Sequence, residues 1–157
     1  MSAKGQVMTE FLETTVDKFT FRVAADRLYN EDGMWVLKED GKRVRIGLSD
    51  FLQQRSGDVA FAEIQPVGTS LTEGDEIATI ETIKVNLELV SPLSGEIVEV
   101  NPSMELEPER INQDPYGAGW LAIIEAADWG KESLKLLHPQ AYFDLMKKEA
   151  AAQAGNL

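Results

Sequence analysis

Alternation of apolar and polar residues, broken by turns that contain glycine or proline, runs through most of this chain. Val44, Ile46 and Leu48 alternate with more polar residues, as in a strand with one buried face. The short apolar run from Met34 to Leu37 precedes them, and acidic turns that end in glycine flank this run. The pattern predicts a β-hairpin in this part of the chain.

The same alternation recurs at regular intervals further along the chain. It predicts strands over the following segments: Val59–Ile64, Glu76–Glu81, Val85–Val90, Ile97–Val100 and Trp120–Ile124. Turns separate all of them except the last, which follows a long polar segment. Many short strands with closely spaced turns predict a mainly β fold, either a sandwich or a flattened barrel.

Two helices interrupt or follow the strands. Ser49 has the properties of an N-cap residue and Gly57 those of a C-terminal cap, which predicts a short internal helix between them. Pro139 fits the first position of a C-terminal helix, on which Tyr142 and Met146 share one face. The segment from Asn101 to Gly119 is predicted to be a loop.

The N-terminus is polar and has little periodicity. Met1–Thr14 is therefore predicted to be a loose tail that places Phe11 and Leu12 on the body of the protein. We expect an N-terminal extension over residues 1–20, followed by one domain over residues 21–157.

Composition limits the function. The 157 residues include 15 Lys and Arg against 27 Asp and Glu, a formal net charge of −12, which opposes binding to nucleic acid. No apolar run is long enough to span a membrane, and the N-terminus lacks the apolar stretch of a signal peptide, so a cytoplasmic protein is expected. The sequence contains no heptad pattern that would indicate a coiled-coil oligomer, so a monomer is expected. The chain has no cysteine, which excludes disulfides and thiolate chemistry of its own.

No catalytic residues or metal site are predicted. His138 is the single histidine, and without cysteine or a second histidine it cannot anchor zinc in the usual way. The acidic pairs lie in turns without the spacing of a calcium loop.

Lys84 is the residue that an ordinary turn does not explain. It lies between Ile83 and Val85, where two predicted strands meet and where Asn, Asp or Gly is more usual. The β-branched neighbours stiffen the turn, and the amine projects into solvent. An amine at a rigid, exposed point is accessible to a modifying enzyme, although most surface lysines are merely solvated.

Several motifs occur in one order along the chain, and together they resemble the H-protein family of lipoyl carriers of the glycine cleavage system. The matching segments are Gly57-Asp58-Val59, Glu63, Gly74-Asp75-Glu76, Glu81-Thr82-Ile83-Lys84, Ser91-Pro92-Leu93-Ser94-Gly95-Glu96, Asn101 and Ile111 to Leu121. They cover the chain from about Trp35 to the C-terminal helix.

The resemblance implies a flattened β-barrel or sandwich of the biotinyl/lipoyl-carrier type, with lipoic acid attached through an amide to Lys84. It also implies a carrier that catalyses nothing itself and works with a lipoylating enzyme and dihydrolipoamide dehydrogenase. Biotin is less favoured, because biotinyl domains place their lysine between methionines, whereas this chain has Ile83 and Val85. Glu81 is either a recognition residue for the lipoylating enzyme or a solvated acid, and Glu63 either faces the arm or lies in solvent.

Two departures from the family bear on the pathway. The small residues that usually follow the family's lysine are replaced by Val85-Asn86-Leu87, and the family's His-Glu-Trp by Gly33-Met34-Trp35. The lipoate-binding proteins of sulfur-oxidising bacteria resemble H-proteins and serve a heterodisulfide-reductase-like complex, and the departures favour such a protein. The alternatives are a glycine cleavage H-protein, with glycine cleavage enzymes as partners, and an unmodified H-like protein that relays lipoyl groups or binds partners.

Overall fold

A computed structural model describes residues 9–155 and contains eleven strands and five α-helices. The strands are β1 (Phe11–Val16), β2 (Phe19–Ala24), β3 (Leu28–Tyr29), β4 (Met34–Lys38), β5 (Arg43–Leu48), β6 (Val59–Ile64), β7 (Ser70–Leu71), β8 (Glu76–Thr82), β9 (Asn86–Val90), β10 (Gly95–Val100) and β11 (Ala122–Ala126). The helices are α1 (Asp50–Ser56), α2 (Ser103–Leu106), α3 (Arg110–Gln113), α4 (Trp129–Glu132) and α5 (Pro139–Gly155), with a 3-10 turn at Ser133–Lys135.

Two antiparallel sheets form the body of the protein. One has six strands in the order β3-β4-β5-β11-β10-β7, and the other has three in the order β6-β8-β9. Their inner faces share one core, which includes Ile46, Ile80, Leu89, Ile97 and Ile124. The predicted mainly β sandwich, with a short internal helix and a C-terminal helix, is confirmed.

The predicted hairpin over Met34–Leu48 is confirmed as β4 and β5. Within it, the side chain of Trp35 lies unusually close to the backbone of Gly47. Trp35 pairs with Gly47, and a Cβ at residue 47 would come within 2.5 Å of the indole. The same indole donates a hydrogen bond to the carbonyl of Pro115 at 2.9 Å. Glycine at position 47 therefore creates the space that the buried indole fills.

The internal helix begins and ends as predicted. The hydroxyl of Ser49 accepts a hydrogen bond from the backbone N–H of Leu52 at 3.3 Å. Gly57 ends the helix with φ of 97° and ψ of −174°, a conformation that is essentially restricted to glycine. The connection from α1 to β6 therefore depends on the absence of a side chain at Gly57.

The predicted loose tail is wrong from Phe11 onward. β1 pairs along its whole length with β2, from Phe11 opposite Ala24 to Val16 opposite Phe19. The threonines and alternating apolar residues of β1 suit a strand once β2 supplies its partner. Met1–Met8 lie outside the described residues, and the division into residues 1–20 and 21–157 stays a prediction.

The β1–β2 hairpin contributes to a second core, between itself, α1 and α5. The ring centroid of Phe21 lies 5.0 Å from that of Phe51 in an edge-to-face arrangement, and Phe143 of α5 lies 5.8 Å from Phe21. Tyr142, on the same helix, stacks on Tyr29 with centroids 4.3 Å apart. Helix α5 therefore packs on the N-terminal hairpin through Phe143 and on β3 through Tyr142.

The predicted loop over Asn101–Gly119 is wrong in part, because it contains α2 and α3. Each helix has only four residues, which is too short to show a helical period in the sequence. Met104 and Ile111 are the buried residues that anchor them. Within residues 9–155, no helix is long and apolar enough to cross a membrane.

Candidate functional site

Lys84 lies at the tip of the hairpin formed by β8 and β9. The strands pair from Glu76 opposite Val90 to Glu81 opposite Asn86. The Lys84 side chain is exposed, and it makes no ion pair with any residue in the described part of the chain. Its amine is therefore accessible from solvent.

The hydroxyl of Thr82 organises the turn. It accepts hydrogen bonds from the backbone N–H groups of Lys84 at 3.2 Å and Val85 at 3.0 Å. It also lies 2.8 Å from the carbonyl oxygen of Ser56, to which it can donate. The backbone N–H of Thr82 donates to the carbonyl of Val85 at 2.9 Å and closes the turn. One side chain thus fixes the turn that carries the lysine.

A second set of contacts holds this turn against the body. The backbone N–H of Ile83 donates to the carbonyl of Asp58 at 3.1 Å. Asn112 of α3 supports the same segment, because its amide donates to the carbonyl of Gly57 at 3.0 Å and accepts from the N–H of Val59 at 2.8 Å. The position of Lys84 is therefore coupled to α3 through backbone atoms.

Lys84 and Gly57 are neighbours. A Cβ at residue 57 would lie 2.8 Å from Lys84 Cε and 3.5 Å from its Cγ. The stem of the lysine therefore passes over Gly57, and a side chain at residue 57 would require the flexible end of the lysine to move.

Ile83 and Val85 flank Lys84 in the turn, and Glu81 precedes it by three residues. Ile83 is 76% exposed and Val85 48% exposed, so the tip presents apolar surface on both sides of the amine. Glu81 is exposed one residue before Thr82 and pairs with Phe61 across the sheet. Their roles in recognition stay predictions.

Glu63 lies further from the tip. It is exposed on β6 and pairs with Thr79, three residues before the end of β8 at Thr82. At about 3.3 Å per residue, this row lies about 10 Å from the end of the strand. A contact between Glu63 and a group attached to Lys84 stays a prediction.

The two departures from the family pattern lie in different environments. Met34 is fully buried in the main core and contributes packing, so it offers no surface contact. Gly33, with φ of +100°, lies close to Leu52 and the Tyr142 hydroxyl. The chain after the lysine, in contrast, is exposed at both Val85 and Asn86.

The motif around Asp114 shapes the backbone through the carboxylate of Asp114 and the glycines Gly117 and Gly119. The carboxylate of Asp114 accepts from the N–H of Ala118 at 2.9 Å and would lie 2.5 Å from a Cβ at residue 117. A Cβ at residue 119 would lie 2.5 Å from the carbonyl oxygen of Arg110.

Sequence reasoning alone assigns no role to Thr82 or Asn112. For Thr82 a signal exists, because a hydroxyl residue just before a turn commonly accepts from turn N–H groups. For Asn112 there is no local signal, since it bonds to Val59 across 53 positions of sequence.

The fold is a flattened sandwich, and it presents an exposed lysine at the tip of a hairpin whose turn is held by hydrogen bonds. This combination is typical of carrier domains of the biotinyl/lipoyl type. The sequence profile of the family described as "Glycine cleavage H-protein" matches residues 27–149. A glycine cleavage system H protein of Thermus thermophilus is 37% identical over 128 residues, which cover 82% of this chain and 98% of that protein. A probable glycine cleavage system H protein of Aeropyrum pernix is 38% identical over 144 residues, covering 92% and 96%.

A solved structure agrees with these sequence matches. The crystal structure of a glycine cleavage system H protein from Mycobacterium marinum superposes with a TM-score of 0.70 at 30% identity, covering 78% of this chain and 98% of that one. The chain belongs to the glycine cleavage H-protein family, as its motifs predict. It is a carrier protein and not a catalyst, in accordance with that family.

Proposed function

We propose that this protein is a lipoyl carrier of a glycine cleavage system and that lipoic acid is attached through an amide to Nζ of Lys84. The observation that carries the proposal is the exposed lysine at the tip of a hairpin whose turn is fixed by Thr82, in a chain of the H-protein family. A carrier needs its attachment point to be rigid and accessible, and this turn is both.

The residues around Lys84 fit such a group. Amide formation removes the positive charge of the amine, and no ion pair to Lys84 would be broken within residues 9–155. Gly57 leaves space for the lysine stem. When attached, the dithiolane of lipoic acid supplies the thiol–disulfide chemistry that this cysteine-free chain lacks.

The residues around Lys84 have three roles in this proposal. Glu81, Ile83 and Val85 form the surface that a lipoylating enzyme meets as it reaches the amine. Glu63, further along the same sheet, is within the area that the attached group sweeps. Thr82 holds the turn in the conformation that the modifying enzyme encounters.

Among pathways, glycine cleavage has the better support. The relatives from T. thermophilus and A. pernix are both named for the glycine cleavage system, which favours glycine cleavage enzymes and dihydrolipoamide dehydrogenase as partners. The sulfur-oxidation role predicted from the departures gains no support from these relatives, and neither does a heterodisulfide-reductase-like partner. We further propose a cytoplasmic, monomeric carrier.

Replacement of the attachment residue tests the proposal. In a glycine cleavage assay reconstituted with the host enzymes, Lys84→Arg should abolish activity while circular dichroism and thermal unfolding stay unchanged. Lys38→Arg, on the opposite sheet, is the matched control and should retain full activity. Full activity of Lys84→Arg would reject the carrier role and favour the alternative of an unmodified partner-binding protein.

A further inference from the structure

The charges of this protein are distributed unevenly between its two sheets. On the six-stranded sheet, Arg45 pairs with Glu39 at 2.7 Å and Arg43 reaches Glu99 at 2.8 Å. On the three-stranded sheet, the exposed carboxylates form no ion pair with other described residues.

The sequence explains this difference. Between Gly57 and Glu109, Lys84 is the only Lys, Arg or His, whereas the same segment contains twelve Asp and Glu residues. This segment supplies α2 and all three strands of the smaller sheet, together with β7 and β10 of the six-stranded sheet. If Lys84 is converted to an amide, as the proposed function requires, the segment keeps no cation.

Register places the exposed residues of this sheet in two adjacent rows. One row contains Phe61 opposite Glu81, and the other contains Glu63 and Glu88 on either side of Thr79. Paired residues in a sheet point to the same side. We call the exposed side chains Phe61, Glu63, Glu81 and Glu88 the acidic face.

Apolar surface accompanies these charges. Phe61 is 50% exposed at the centre of β6, and Leu106, at the end of α2, is 86% exposed. Between β6 and α2 lies a groove of about 640 Å³, with Met104 on its apolar lining and Glu63 and Glu105 among its polar residues. Such a groove suits the aliphatic stem of an arginine or lysine whose charged end meets a carboxylate.

We propose that the acidic face and the adjoining groove dock a partner protein that presents clustered arginine and lysine side chains. This inference rests on the proposed function, because the same hairpin carries Lys84 and docking here brings the lysine to the partner. Phe61 supplies the central contact, since aromatic residues are enriched at protein interfaces and an arginine can stack on the ring. The carboxylates increase the association rate and select basic partners.

The proposal has a second consequence. Lys84 repels a basic partner when it carries a charge and no longer does so once the amine is acylated. The modified carrier therefore docks more tightly than the unmodified chain, even before any contact by the attached group is counted.

Binding to the host glycine cleavage enzymes, each immobilised in turn, tests the docking surface. Lipoylated Glu63→Gln/Glu88→Gln/Glu105→Gln protein should bind the tightest partner about tenfold more weakly than wild type at low ionic strength. Glu13→Gln/Glu96→Gln/Asp144→Asn removes three exposed charges elsewhere and should change affinity less than about twofold. At high salt the difference should largely disappear, whereas Phe61→Ala should weaken binding at both salt concentrations.

Equal losses for both triple variants, or wild-type affinity of the Glu63/Glu88/Glu105 variant, would overturn the proposal. So would a lack of measurable binding by lipoylated wild-type protein at low salt. Intact mass of each variant separates these outcomes from failure of the proposed function, because a lipoylated protein that does not use this face still supports the carrier role. Glu81 is left unchanged so that the lipoylating enzyme keeps its recognition residue.

The charge effect of Lys84 is measured without the attached group. Unmodified Lys84→Gln should bind the same partner about two- to threefold more tightly than unmodified wild type at low salt, and Lys84→Arg should match wild type. Equal affinity of all three unmodified proteins would overturn the second consequence.

Discussion

The stem of Lys84 lies directly over Gly57, and a Cβ at residue 57 would come within 2.8 Å of Lys84 Cε. Gly57 also has φ of +97°, in a region of backbone conformation that other residues rarely adopt. A side chain at residue 57 would therefore strain the end of α1 and would displace the flexible end of Lys84.

Gly57→Ala should destabilise the protein by about 1–3 kcal/mol because of its backbone conformation. It should also slow lipoylation of Lys84 several-fold, because the methyl group displaces the lysine stem. Urea unfolding and the rate of lipoylation by a purified ligase measure the two effects separately.

Gly68→Ala is the matched control, since Gly68 has φ of +95° and nothing within 4 Å of a Cβ at that position. We expect Gly68→Ala to lower the free energy of unfolding but to leave the rate of lipoylation unchanged. Equal lipoylation rates for the two variants would show that the contact between residues 57 and 84 has no effect on the modification.

Removal of the Thr82 hydroxyl should loosen the turn. Thr82→Val keeps the shape of the side chain but leaves the N–H groups of Lys84 and Val85 and the carbonyl of Ser56 without this partner. We expect a loss of about 1–2 kcal/mol in the free energy of unfolding and slower lipoylation. Thr82→Ser should restore most of the stability and most of the lipoylation rate. If serine fails to do so, packing by the Thr82 methyl group, and not the hydroxyl, is responsible.

The N-terminal hairpin should contribute to the stability of the whole protein, although it lies before the family match that begins at residue 27. Phe21 is fully buried against Phe51, so Phe21→Ala should cost about 3–5 kcal/mol in one cooperative transition. Phe11→Ala removes a ring that is 36% exposed and should cost about 1 kcal/mol. A small effect of Phe21→Ala in thermal or urea unfolding would mean that the hairpin is a dispensable attachment.

Alkaline pH should destabilise the protein through its buried tyrosines. Burial raises the pKa of Tyr116 from 10.0 to about 12, and burial also raises the pKa of Tyr29 and Tyr142. Because these pKa values are higher in the folded chain, the stabilisation is fully present below pH 10 and is lost as the pH rises. The free energy of unfolding should fall between pH 10 and 12, and the fall should be smaller in Tyr116→Phe.

The parts of the fold that repeat a local pattern could be predicted from the sequence. The β4–β5 hairpin, helix α1 and the strands around Lys84 follow from alternation, capping and turn residues. The apolar run predicts this strand over Trp120–Ile124, whereas β11 spans Ala122–Ala126, because Glu125 and Ala126 beyond the run pair with Arg43 and Gly95. Boundaries depend on which residues find a partner across the sheet, and a single strand does not contain that information.

Features that depend on distant contacts could not be predicted. β1 has a weak apolar pattern and becomes a strand because β2 pairs with it, while α2 and α3 are anchored by one buried residue each. At the candidate site, the exposed lysine was predicted, but its support by Asn112 and its contact with Gly57 arise from the folding of separate segments.

The central claim is that Lys84 carries the lipoyl group, and intact mass followed by peptide mapping tests it most directly. The protein is purified from its own host, or produced together with a lipoylating enzyme, and compared with Lys84→Arg. The account predicts a lipoyl-sized mass increment confined to the peptide that contains Lys84 and absent from the variant. An unmodified Lys84, under conditions that lipoylate an established H-protein, would contradict it.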